Sequence, residues 1–139
     1  MRNVKKGKTM KILVGYDGTN AAKAAVEVAK TFALGLGAEI IVITSIKSAI
    51  EAKPEGIAEA ESALDHTKSI LEEAGVDCQT NLLIQGLSPG ESLVTYAKHS
   101  RCDHIVIGVQ RRSRVSKLVM GSTAQYVILN AHCPVTSVK

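Results

Sequence analysis

The chain has 139 residues, enough for one domain with a sizeable core. It is 45% hydrophobic and only 3% aromatic, with one Phe, three Tyr and no Trp, so the core has to be aliphatic. The formal net charge of +4 comes entirely from Arg2, Lys5, Lys6 and Lys8, which leaves residues 10–139 near neutral. Neutrality argues against a domain-wide nucleic-acid surface. Residues 1–9 hold no apolar run and are expected to form a flexible basic tail rather than a signal peptide. No window approaches the ~20 apolar residues that span a bilayer. Cys78, Cys102 and Cys133 fit no zinc or CxxC spacing. They are expected to be buried or half-buried thiols in a reducing cytoplasm.

Lys11–Tyr16 (KILVGY) is an apolar run closed by the turn residues Asp17-Gly18, and is predicted as the first strand. A helix is predicted from Asn20 to Leu34, with Ala22, Ala25, Val26, Ala29 and Ala33 at helical spacing and Gly35 and Gly37 ending it. Ile40–Ser45 (IIVITS) is the second strand. Its unbroken apolar run calls for cover on both faces, as in a parallel sheet. Lys47–Gly56 is predicted as a surface loop. The next helix spans Ile57 to Ala74, with Gly75 stopping it, and Asp77–Gln85 is the third strand.

Ser88-Pro89-Gly90-Glu91 is a capping box with proline at the first helical position, so a third helix starts there. His104–Gly108 is the fourth strand, Ser122–Ala131 the fourth helix and Pro134–Val138 the fifth strand. Strict alternation of strand and helix predicts one doubly wound α/β domain over residues 10–139, with right-handed crossovers.

In such sheets ligands sit at the carboxyl ends of the strands. Three pieces of the sequence fall there. Asp17 follows the first strand, where its carboxylate could accept from a ribose hydroxyl, help hold a metal, or simply make the turn. Thr44-Ser45 ends the second strand. The third piece runs from Gly108 to Thr123. Gly108 gives a ligand room at the strand end, and Gly121, Ser122 and Thr123 offer backbone N–H groups and hydroxyls to an anion. Arg111, Arg112, Arg114 and Lys117 add positive charge. His66, His99, His104 and His132 share no metal spacing, and no nucleophile or general base stands out.

KILVGYDGT, the late LVMGSTAQYVILNAHCPVTSV and the five-strand alternation between them resemble the universal stress protein family over residues 10–139. The resemblance implies a sheet of order 3-2-1-4-5, Rossmann-like and similar to the adenine nucleotide α-hydrolase-like fold. It also implies ATP or another adenine nucleotide as ligand, with Mg2+ only alongside bound nucleotide. The family pattern G-x2-G-x9-G-[ST] maps onto Gly108, Gly121 and Ser122, with Arg111 where the second glycine belongs. Asp17 falls at the ribose position, Ser45 near the adenine, and Thr123 among the phosphate contacts. Arg111 and Arg112 would supply guanidinium charge in place of a bare backbone N–H.

The implied protein is a cytoplasmic regulator of the stress response with an unidentified protein partner. It would hydrolyse ATP slowly at most; an enzyme of the wider adenine nucleotide α-hydrolase-like group would want an SGGxDS-like loop after the first strand, where this chain has GYDGTN. A homodimer is expected through the fifth strand, an exposed edge, with Val135 and Val138 near the interface. The alternative is a dimeric interaction module that binds no nucleotide and docks an acidic partner on the basic loop 111–117.

Overall fold

The computed structural model describes residues 9–110 and 120–139. Five strands, β1 (Lys11–Gly15), β2 (Glu39–Ile46), β3 (Cys78–Ile84), β4 (His104–Gly108) and β5 (Val135–Val138), form one parallel sheet of order β3-β2-β1-β4-β5. The helices are α1 (Asn20–Leu36), α2 (Ala49–Glu73), α3 (Pro89–His99) and α4 (Ser122–Asn130). The doubly wound fold and the strand order are those expected. The segment 1–8 of the expected tail and the loop 111–119 lie outside the described residues.

Alternate strand residues feed two separate cores. Ile12, Val14, Ile40, Val42 and Val106 pack under α1 and α2, against Ala25, Ala29, Leu64 and Leu71. Leu13, Ile41, Ile43, Ile105 and Ile107 pack on the other face under α3 and α4, against Leu93, Ala97, Ala124 and Val127. A period of two along each strand therefore builds both layers, and unbroken apolar runs are what two-sided cover requires. The strand order reverses between β1 and β4, which opens a crevice at their carboxyl ends.

Two boundaries differ from expectation by more than one residue. The first helix runs through Gly35 to Leu36, and Gly37 ends it with φ 67°. A helix interior tolerates glycine for about 1 kcal/mol, whereas the closing residue must turn left-handed. There the Ala38 N–H reaches Ala33 O at 3.0 Å.

The second difference is larger. Lys47–Gly56 is not a loop: helix begins at Ala49, capped by the Ser48 hydroxyl, which accepts from the Glu51 N–H at 3.3 Å. Pro54 does interrupt it, because proline disfavours a helical residue before it. Lys53 absorbs the break at φ 63° and ψ 160°, and the helix resumes beyond. The capping box at Ser88 forms as expected, with the Ser88 N–H donating to Glu91 Oε1 at 3.1 Å. The backbone and hydroxyl bonds from Ser88 hold the Glu91 carboxyl below its ordinary range.

Cys78 and Cys102 are buried and Cys133 is half-buried, as expected. No helix among the described residues is long and apolar enough to cross a membrane. His104 sits half-buried between β4 and β5. Its Nε2 shares a 2.7 Å hydrogen bond with Thr136 Oγ1, and its ring meets the Phe32 edge at 5.8 Å.

Two stability predictions follow from these features. Lys53 occupies backbone space that only glycine enters freely. Lys53→Gly should therefore raise the unfolding free energy by about 1 kcal/mol in urea titration. Equal or lower stability would show that the kink carries no strain.

Burial holds the His104 imidazole below its ordinary value of 6.5. As pH falls past that value the unfolded chain takes up the proton before the folded one does. The stability His104 allows is thus present above 6.5 and declines below it. In His104→Gln the fall in melting temperature from about pH 7.5 to about pH 5 should be smaller than in the parent. Equal falls would rule the imidazole out as the titrating group.

Candidate functional site

Two adjoining hollows occupy the crevice at the carboxyl ends of β1 and β4. The first, of about 150 Å³, has a largely apolar wall of Ala22, Ile43, Pro89, Leu93 and Ile107, with Ser45, Asp17 and Thr123 as its polar points. The second, of about 140 Å³, is mostly polar and lies between Thr19, Gln110, Gly121 and Ser122. Asp17, Gly108 and Thr123 line both. The structure thus brings Asp17, Ser45, Gly108, Gly121, Ser122 and Thr123 together around one crevice. Arg111 and Arg112 lie outside the described residues, as does the basic loop 111–117.

Asp17 follows β1 in a tight turn that needs Gly18 at φ 81°. Its Oδ1 accepts from the Thr19 N–H at 3.1 Å and the Thr19 hydroxyl at 2.6 Å. The Thr19 Oγ1 accepts in turn from the Ala22 N–H at 3.2 Å, which caps α1. The carboxylate does make the turn, yet it is exposed and held in a fixed orientation at the junction of the hollows.

Gly108 has a role beyond leaving space for a ligand. A Cβ there would stand 2.4 Å from the Ala21 carbonyl carbon, 2.5 Å from its oxygen and 2.7 Å from the Ala22 nitrogen. The first turn of α1 lies directly on the end of β4, and glycine is the residue that permits it.

Ser45 points its hydroxyl at Ser92, donating to its Oγ at 2.8 Å. Ser92 is 1% exposed, in the first turns of α3. The Thr44 hydroxyl donates to Tyr16 O at 2.8 Å and ties the ends of β1 and β2 together.

At the other end of the crevice α4 starts from Gly121, with no side-chain cap among the described residues. Its first N–H groups have no acceptor within the helix and carry the positive end of its dipole. Sequence reasoning missed the apolar wall. The capping box at Ser88 was the available signal, because a helix starting right after a strand opens on this same edge of the sheet.

Chemically, the crevice offers an apolar slot, a carboxylate at its middle and an uncapped helix end beyond. That order suits a flat apolar group joined to a hydroxylated one and then to an anion. Among the described residues no cluster of three or more His, Cys, Asp or Glu could hold a metal. A cation would need the anion's own oxygens beside Asp17. Val135 and Val138 of β5 are half-buried, packed into the α3/α4 core and the α1/α2 core respectively. Among the described residues β5 pairs only with β4, which leaves its outer edge unpaired.

The model of the universal stress protein family matches residues 8–139, and the chain belongs to that family. A universal stress protein of Methanocaldococcus jannaschii is 34% identical over 140 residues, covering 93% of this chain and 81% of that protein. The solved structure of a universal stress protein from Archaeoglobus fulgidus is 32% identical, covers 95% of this chain and all of that one, and superposes with a TM-score of 0.86. A universal stress protein from the same organism solved in complex with dAMP is 30% identical, over 94% of this chain and 98% of that one, with a TM-score of 0.80.

The contact at Gly108 predicts a contrast between two glycines of the site. Gly108→Ala forces α1 off the sheet and should cost about 1–3 kcal/mol, the range for overpacked cores. Gly121→Ala meets nothing within 4 Å among the described residues and should cost under about 1 kcal/mol. Urea unfolding of both variants checks this, and equal costs would contradict the close approach.

Proposed function

We propose that this protein binds an adenine nucleotide in the crevice and acts as a cytoplasmic regulatory protein of the stress response. The observation that carries this reading is the uncapped start of α4 across a shared hollow from Asp17. The likeness to the Archaeoglobus protein that holds dAMP supports it.

In this reading the purine takes the apolar slot beside Ile43, Leu93 and Ile107, with Ser45 at its edge. A ribose hydroxyl donates to Asp17. The phosphate oxygens accept from the N–H groups of the first turn of α4 and from the Ser122 and Thr123 hydroxyls. Arg111 and Arg112 add charge from the loop, and Mg2+ enters only with the phosphates. The chemistry at the site is binding, with ATP hydrolysis slow at most. Two copies associate through the free edge of β5, where backbone groups pair and Val135 and Val138 lie close to the seam. The dimer relays nucleotide occupancy to a protein partner.

Melting with and without millimolar dAMP, AMP, ADP or ATP tests the reading. A nucleotide present at ~100 times its dissociation constant should stabilise the fold by ~2.7 kcal/mol. Asp17→Asn, which keeps an oxygen for Thr19, should weaken binding roughly tenfold, the worth of one charge-assisted hydrogen bond. Arg111→Gly tightens ATP if the guanidinium obstructs and weakens it if the guanidinium clamps. No shift with any of the four nucleotides would overturn the proposal in favour of a docking module built on the basic loop.

A further inference from the structure

At the opposite end of the sheet from the crevice, two of the three cysteines meet in one core. Cys102, 2% exposed, precedes β4, and half-buried Cys133 precedes β5. Both pack into the cluster beneath α3 and α4, beside Ala97 and Ile105.

The strand register brings them close. Ile105 pairs with Val135, and the Ile105 N–H reaches Pro134 O at 3.0 Å. Continuing that register two residues back, beyond the strands themselves, would set Asp103 opposite Cys133, with Cys102 as its neighbour. With parallel strands ~4.8 Å apart and a step of ~3.3 Å per residue, that continuation would put the two Cα atoms roughly 6 Å apart. Disulfides span ~4.4–6.8 Å between Cα atoms. The thiols also feel each other electrostatically. Burial, with a smaller contribution from charge on Cys133, pushes Cys102 up to about 11. Burial pushes Cys133 up as well. Cys78 is buried in the other core, on the far side of the sheet, and has no cysteine partner among the described residues.

We propose that Cys102 and Cys133 are an oxidisable pair that closes to an intrachain disulfide under a peroxide. The Cys133 sulfur, the more exposed of the two, attacks one peroxide oxygen. The O–O bond breaks, water leaves, and a sulfenic acid remains. The Cys102 sulfur then attacks the Cys133 sulfur, the S–O bond breaks, and the hydroxide leaves as a second water with the Cys102 proton. Both thiols are oxidised and the peroxide is reduced. Because burial keeps both thiols protonated, closure is slow and calls for sustained oxidant. The bond clamps the entry of edge strand β5 to the α3–β4 junction.

Hydrogen peroxide applied to the folded full-length protein tests the pair, followed by alkylation in denaturant and mass spectrometry. The expected product is monomeric in chain length and carries one alkyl group, on Cys78. Its tryptic digest should join the peptide Cys102–Arg111 to the peptide Leu118–Lys139. Cys78→Ser should close as the parent does. Cys102→Ser and Cys133→Ser should not, and the parent's melting temperature should rise on oxidation and fall back with dithiothreitol. Three alkylated thiols after prolonged oxidation, a bond involving Cys78, chains cross-linked through Cys133, or oxidation that stops at a sulfinic acid on Cys133 would each overturn the proposal.

Discussion

The contact between the first turn of α1 and the end of β4 sets the geometry of both fold and crevice. Backbone lies on backbone there, closer than any side chain allows, because Gly108 has no Cβ to keep Ala21 and Ala22 away. That approach draws the start of α1 towards β4 and swings the Asp17–Thr19 turn over the same strand end. It also makes Gly108 a wall of both hollows. A substituent at this position would displace α1 from the sheet and move Asp17 with it. Stability and site geometry are therefore coupled through a single position.

Much of the architecture could be read from the residues. Unbroken aliphatic strands and alanine-striped helices impose a two-sided sheet, and the stop signals at Gly37 and Gly75 and the start signal at Ser88 mark its joints. Strand order was different: periodicity says nothing about which strands are neighbours, and 3-2-1-4-5 came from the family resemblance. The missed start of α2 has a specific cause. Pro54 advertises a break, but a helix can restart immediately if the residue before the proline leaves helical space, and Lys53 is not a residue whose sequence signals φ 63°.

The site divides along the same line. Asp17, Gly108 and Gly121–Thr123 were legible because turns and helix starts at strand ends use distinctive residues. Ile43, Leu93 and Ile107 were not, since a wall of a crevice and a wall of a core have the same composition. Ser92 was hidden more deeply. It lies 47 residues from Ser45, and its buried hydroxyl has meaning only once α3 is docked against β2. Gly108 was read as leaving room for a ligand, and its close contact with α1 was not foreseen, because an open strand end and a tightly packed one both call for glycine.

The helix starts show how an uncapped helix end is placed at the crevice at little cost to the fold. Thr19, Ser48 and Ser88 each close the first turn of their own helix with a side-chain oxygen. α4 instead begins at Gly121 and leaves its N–H groups to whatever occupies the polar hollow. Glycine in place of a capping hydroxyl costs only a few tenths of a kcal/mol. Asp17 has its Oδ1 already committed to Thr19, so its negative charge stays near the middle of the crevice. The crevice is thus graded from apolar to acidic to electropositive, and a ligand can satisfy all three only in one orientation. An inverted ligand would set its anion in the apolar slot and its flat group against open N–H donors, leaving both unpaired.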